Sequence, residues 1–392
     1  MMKKKVGPLR KRHVLLKILN DSFYDLPCPV NLNVWWSFGS MLGLCLVIQF
    51  VSGLLLSVHY TAHEDMAFDS VIHIMRNVKK GWMLRSIHAN GASMFFMCIY
   101  VHIARGIYYG SYLDVPVWNI GVLLYFMVMA EAFLGYALPW GQMSYWGATV
   151  VTNMLTVIPL FGEKLCYYMW GGWTVCNATL QRFYTLHFML PFLMVCVAVL
   201  HLFYLHENGS NNPLGIESDT MCIPFHPFYT VKDLFGFVCF SWVFMYLVCV
   251  EPELLGNVHN YTPADSMKTP LDVQPEWYFV FAYSILRSIP HKVGGVVAMG
   301  GAIAVLLVIP VMHTGEFRSL CFYPFNQMLF WCLIGSFIGL TWAGSRPARE
   351  PFISMGLWFS CSYYVCIILN PLSMWMWDYL LKVGTKSNKR CM

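Results

Sequence analysis

Four histidines fall inside long apolar runs of the sequence: His88 and His102 in one run, His187 and His201 in another. Ionisable groups are costly at membrane depth, and there they mark functional positions by default. Within each run the two histidines are 14 residues apart. On a helix of ~3.6 residues per turn, that spacing falls ~40° short of four full turns. Both imidazoles of a run therefore share a face, ~21 Å apart along the axis at ~1.5 Å per residue. One apolar run intervenes between the two, so their helices point the same way. This puts His88 level with His187, and His102 level with His201. Two facing helices would then offer two imidazole pairs, one above the other. A pair of imidazoles on opposite faces of a porphyrin fills both axial positions of a haem iron, which suits electron transfer and disfavours oxygen binding. A lone histidine here would be read as a hydrogen-bonded core residue or part of a proton relay. Two pairs at matched spacing favour ligands.

The glycines fall at the same interval. Gly39 and Gly53 precede the first histidine run, Gly121 and Gly135 lie between the two runs, and each separation is again 14 residues. Bare backbone at both histidine depths would admit flat macrocycles, although small residues also serve ordinary helix–helix contact. Arg85 and Arg105 each stand three residues beyond a histidine. They could pair with haem propionates or snorkel to lipid headgroups.

The elements that must position these groups are membrane helices. Of 392 residues, 58% are hydrophobic and only 11% charged, against roughly 25% charged in a soluble domain. The mean hydropathy is +0.55. Eight stretches approach the ~20 apolar residues that cross a bilayer: 34–58, between Arg85 and Arg105, 115–138, 183–205, 234–250, 293–312, within 319–345 and within 351–377. Lipid leaves no unpaired backbone group tolerable, so each is expected as a helix. The fold class is thus an all-α integral membrane bundle of eight transmembrane helices, with the haems inside the four-helix N-terminal half. An even number of spans puts both termini on one side, and a slight Lys/Arg excess makes that side the inner one. The expected division is residues 1–215, the four-helix di-haem half, and residues 216–392, four helices and a long outer loop.

The net charge of +5 sits mostly in the N-terminal arm (Lys3, Lys4, Lys5, Arg10, Lys11, Arg12, Lys17). That arm reads as a positive membrane flank rather than a nucleic-acid site, and no cleavable leader pattern follows it. The segment 14–23 is expected to form an interfacial helix. Among 14 cysteines there is no C-x-x-C and no C-x-x-C-H, so a disulfide framework, a zinc site and covalent haem are not expected. Two long connections, 139–182 and 251–292, fall on the outer side. Their aromatics and glycines suggest that they fold against the bundle.

Several distant stretches, in order, resemble the mitochondrial cytochrome b family over almost the whole chain. They include 85–93 (RSIHANGAS), 135–144 (GYALPWGQMS), 146–149 (WGAT), 182–191, 206–213 (HENGSNNP), 223–227 (IPFHP) and 275–278 (PEWY). The resemblance implies two non-covalent b-type haems, the low-potential one on His88 and His187 near the outer side and the high-potential one on His102 and His201 near the inner side. It implies ubiquinol oxidation at an outer site where Pro275-Glu276-Trp277-Tyr278 meets the short helices after the third span. Glu276 and Tyr278 are the implied catalytic residues, with walls from Tyr136, Gly147, Phe279 and Tyr283. A carboxyl in a dry aromatic pocket is a plausible proton acceptor, since burial moves its pKa toward neutrality. An inner site for ubiquinone reduction is implied at His206, Ser40, Ser210, Lys232 and Asp233. For His206 and Asp233, simple helix-end polarity is the alternative.

The resemblance further implies a bifurcated mechanism in a dimeric respiratory complex III of the mitochondrial inner membrane. One electron leaves for a Rieske iron–sulfur subunit, the other crosses through both haems, and proton translocation follows. A membrane-anchored c-type cytochrome and other complex subunits would be partners. The chain departs from the family at Glu131, a mid-span acid where relatives carry a threonine or another small residue, and it matches loosely over 210–224 and 344–351. The chloroplast relative is split in two and has unequal histidine spacings, so the respiratory branch fits better. A haem-bearing transmembrane reductase would need a nucleotide-binding domain, for which no G-x-G-x-x-G motif is present. A transporter with a histidine relay would show no haem spectrum.

Overall fold

Lipid-facing sequence folds into helices because only the helix satisfies every backbone group within one segment. The computed structural model describes residues 7–388; the arm lysines Lys3, Lys4 and Lys5 lie outside the described residues. A short helix α1 (Val14–Leu19) runs into a wider turn over Asn20–Tyr24. Val14, Leu15 and Ile18 are exposed on it, as an interfacial helix requires. The first long helix, α2 (Phe38–Ser57), is started by a 3-10 turn whose N-terminal Asn33 side chain accepts a hydrogen bond from the Trp35 amide. Then come α3 (Ala67–Asn77), α4 (Gly81–Tyr108) and α5 (Val115–Ala137), the last with Pro116 in its first turn, where no N–H is missed. The outer connection folds as α6 (Gln142–Asn153) and α7 (Gly162–Trp170) before α8 (Asn177–Asn208). The second half contains α9 (Phe228–Cys249), α10 (Trp277–Ser288), α11 (Lys292–Ala304), α12 (Ile309–Met312), α13 (Pro324–Gly344) and α14 (Phe352–Asn388).

Among the described residues, seven helices are long and apolar enough to cross a membrane, where eight were expected. The difference is the stretch 293–312. It is not one helix but α11, a 3-10 turn over Val305–Leu307, and α12. Gly294, Gly295, Gly300 and Gly301 weaken helix propensity there. Pro310 has no N–H for the carbonyl of Leu306. That carbonyl is taken instead by the indole N–H of Trp118 on α5, at 2.7 Å. The expected sixth span is therefore segmented, and the break is held by a side chain from the other half.

Within the N-terminal half α2 packs along α4 and α5 along α8, whereas no comparable packing joins α4 to α8. The C-terminal half is built on α13 against α14 and α10 against both. The halves meet through a core in which Phe96 stacks on Tyr278 at 4.1 Å, with Phe281 and Ile285 behind. At the end of the bundle where α2 and α9 begin, a two-stranded antiparallel pair, β1 (Pro27–Pro29) and β2 (Cys222–Pro224), ties the chain before α2 to the chain before α9.

The long outer connections do fold onto the bundle. Trp140 adopts a left-handed φ of 56°, and the chain turns so that its carbonyl accepts from Ala264 N–H at 3.0 Å. Gln142 N–H reaches Thr262 O at 3.0 Å. A side chain at Gly141 would lie 2.4 Å from the Asn260 carbonyl, so only glycine permits this approach. Asn260 Oδ1 then accepts from both the amide and the hydroxyl of Ser144, at 2.9 and 3.0 Å. The start of α6 and the loop before α10 are thereby fixed to each other.

Candidate functional site

The four glycines prove to be opposite the four histidines. A methyl group at Gly53 would sit 3.1 Å from His88 Cε1, and one at Gly39 would sit 3.4 Å from His102 Cε1. On the other pair of helices, a methyl at Gly135 would sit 2.5 Å from His187 Cε1 and one at Gly121 3.2 Å from His201 Cε1. Each imidazole thus lies along the bare backbone of its partner helix, with Cε1 turned to it. The glycines make room for the four imidazole rings, which stand in or beside the gap between α4 and α8.

At the outer level the rings of His88 and His187 have centroids 6.1 Å apart and planes 89° apart. Metal–imidazole bonds run about 2 Å; two of them, plus the distance from each nitrogen to its ring centre, fill about this spacing. The ring edges away from the gap are tied down. His88 Nδ1 meets Ser52 Oγ at 2.9 Å, and that hydroxyl donates to Ile48 O at 2.6 Å. With its own proton so committed, Ser52 accepts from Nδ1–H, and this leaves Nε2 free as a ligand. His187 Nδ1 lies 2.8 Å from Glu131 Oε1 and 3.1 Å from the Glu131 carbonyl. Pro191 stands four residues after His187 inside α8, where its missing N–H leaves the His187 carbonyl without its usual helical partner.

The inner pair is held differently. Arg105 lies beside His102, its Nη2 3.3 Å from Nδ1, and its guanidinium covers the Trp36 ring at 5.2 Å. Arg105 Nε is buried with no hydrogen-bond partner among the described residues. A buried guanidinium with a spare donor suits an anionic propionate. Sequence reasoning left Arg105 between that role and snorkelling; the structure turns it inward, over Trp36. The donor set, the glycine clearances and the orphaned Arg105 donor all fit haem b.

A cavity of about 330 Å³ runs from His88 and His187 to the start of α10. His88, His187, Arg85, Tyr136, Glu276 and Tyr278 all line it. Glu276 is half-buried at the start of α10, outside the spans. Burial pushes its carboxyl up to about 7, against the opposing pull of the nearby Tyr136 hydroxyl and Arg85 guanidinium. The Tyr136 hydroxyl is buried without a hydrogen-bond partner among the described residues. Tyr278 is buried on Phe96, its phenol pushed well above the usual range by burial, and its carbonyl accepts from the Tyr100 hydroxyl. Trp277 points the other way and donates to Ser93 Oγ at 3.1 Å.

Four of the expected outer residues, Pro275, Phe279, Tyr283 and Gly147, do not line this cavity. Tyr283 instead donates to Val273 O at 3.2 Å beneath the Arg287 guanidinium, and the space next to Gly147 is open. On the inner side Asp233 faces Ser37 and Ser40, and Lys232 donates to Leu32 O at 2.7 Å. The Ser210 hydroxyl donates to Asn211 O, and no hydrogen bond among the described residues joins His206 to Ser40 or Asp233. The partner residue that sequence reasoning missed is Ser52. Its signal was present: a polar side chain inside the span, adjacent to one of the four glycines.

Two family models match the chain, "Cytochrome b/b6/petB" over residues 23–209 and "Cytochrome b(C-terminal)/b6/petD" over residues 263–364. A curated relative, cytochrome b of Mytilus edulis, is 75% identical over 353 residues, covering 90% of this chain and 89% of its own. Among solved structures, a chain of a hyperthermophilic respiratory Complex III superposes with a TM-score of 0.89 at 31% identity, covering 94% of this chain and 98% of its own.

Proposed function

The chain belongs to the cytochrome b/b6 family, and from that premise we propose that its four span histidines hold two haem b groups, one on His88 and His187 and one on His102 and His201. It acts as the cytochrome b of a respiratory complex III, an electron-transporting quinol–cytochrome c oxidoreductase with several membrane spans. The family's cofactor is haem b, which supplies reversible one-electron chemistry when bound. The observation that carries the two-site assignment is the fourfold pairing of glycine with histidine across α2–α4 and α5–α8.

The residues then divide the work. Ser52 and Glu131 hold the outer imidazoles by their Nδ1 edges, and Arg105 offers a cation at the inner level. At the outer cavity Glu276, poised near neutrality, takes a proton from a quinol hydroxyl, while the stacked Tyr278 and Phe96 exclude water from the pocket. The wall role of Pro275, Gly147, Phe279 and Tyr283 would apply to a part of the quinol site beyond this cavity. At the inner face Ser40, Ser210, Lys232, Asp233 and His206 would bind and protonate quinone. An electron passing from the outer to the inner level moves charge across the membrane, at ~2.3 kcal/mol per charge per 100 mV.

Residues 1–215 form the di-haem half in this reading and residues 216–392 the half that completes the outer site. The setting is a dimeric complex of the mitochondrial inner membrane, with a Rieske iron–sulfur subunit and a membrane-anchored c-type cytochrome as electron acceptors. A reduced-minus-oxidised spectrum with haem quantitation tests the core of it. Two b-type haems per chain are expected, with one lost in His88→Asn and the other in His102→Asn. If both variants kept both haems, the ligand assignment would be wrong.

A further inference from the structure

Glu131 lies inside α5, six residues before its C-terminal end, with its side chain only 16% exposed. A carboxylate there must be compensated or it would not be tolerated. Its Oε1 is 2.8 Å from His187 Nδ1, within the range of a charge-assisted bond. Its own backbone carbonyl is 3.1 Å from the same nitrogen, so the Nδ1–H is shared between two oxygens of one residue. The other carboxylate oxygen, Oε2, has no hydrogen-bond partner among the described residues. The group is thus aimed at one ring edge and little else. Across the gap, His88 has the neutral hydroxyl of Ser52 in the equivalent place. At the inner level the neighbour of His102 is a cation, Arg105, at 3.3 Å.

We propose that Glu131 is a positioning residue for the outer haem: its carboxylate takes the His187 Nδ1–H bond, fixes the tautomer that presents Nε2, and holds the outer midpoint potential down. The inference rests on the reading that His187 is an axial ligand. An imidazole that shares its proton with an anion is a stronger donor to the metal, and a buried negative charge favours the more positive, oxidised iron. Both effects lower the potential. Arg105 pushes the inner level the opposite way, so the two side chains widen the gap that drives the electron inward.

The test is an optical redox titration of the assembled complex carrying Glu131→Gln, with Glu131→Asp beside it. Glutamine keeps an acceptor of similar reach and removes the charge. Losing charge assistance is expected to raise the outer haem's reduced-to-oxidised ratio at fixed potential about tenfold, which is 59 mV for one electron. The inner haem should hold its potential, and the aspartate variant should stay nearer the wild type. If Glu131→Gln fails to retain the outer haem, Glu131→Thr carries the same expected direction in a smaller side chain. Two bound haems with an outer ratio within threefold of wild type in both neutral variants would overturn the inference alone. If His187→Asn left both haem bands in place, the ligand reading beneath it would fall instead.

Discussion

The four glycines give a graded series of perturbations. An alanine methyl at Gly39 would lie 3.4 Å from His102 Cε1, an ordinary contact, while at Gly121 and Gly53 the distances are 3.2 and 3.1 Å. At Gly135 the methyl would be 2.5 Å from His187 Cε1 and 3.1 Å from both ring nitrogens. Relief there requires the imidazole to move by about 1 Å, yet Glu131 ties its Nδ1 at 2.8 Å. Overpacking of this kind costs about 1–3 kcal/mol, which corresponds to a loss of haem affinity of about 5- to 150-fold. Against this, alanine gains up to ~1 kcal/mol over glycine in helix propensity. Gly39→Ala should therefore be neutral or slightly stabilising, and Gly135→Ala should lose the outer haem first. The assay is haem content per chain during stepwise detergent dilution, read at the reduced α-bands of the two haems. If Gly39→Ala and Gly135→Ala lost haem equally, or if Gly135→Ala lost none, the geometry offered for the glycine–histidine pairing would be refuted.

Glu276 sets a pH dependence at the outer site. Its carboxyl sits at about 7, so the proton-accepting form is scarce below that pH and dominant above it. Quinol oxidation should rise as pH increases through about 7, and Glu276→Gln should be slower and lack that limb; an unaltered profile in steady-state turnover would remove Glu276 from the proton path. Asn260→Ala deletes the acceptor of the Ser144 amide, while the Ser144 hydroxyl keeps Tyr136 O at 2.6 Å, and it loosens the loop before α10. Unsatisfied buried donors cost about 1–3 kcal/mol, so thermal unfolding in detergent should fall by several degrees; an unshifted transition would show that the clasp adds no stability.

The sequence by itself determined the helical bundle, the facing histidine pairs and the glycine interval. All three follow from helix periodicity and from the cost of polar groups in lipid, which act along one chain and need no knowledge of neighbours. The resemblance to a known family supplied the quinone chemistry at Glu276. Other features were decided only between elements. The break at 305–312 depends on Trp118, nearly two hundred residues away, taking the Leu306 carbonyl that Pro310 leaves free. Nothing in the local hydropathy of that stretch signals it. That Gly53 faces His88 rather than His187, and that Glu131 bonds the His187 ring, depends on how α2–α4 and α5–α8 are rotated about their axes. Periodicity places residues on a face, but only packing chooses the partner that face meets.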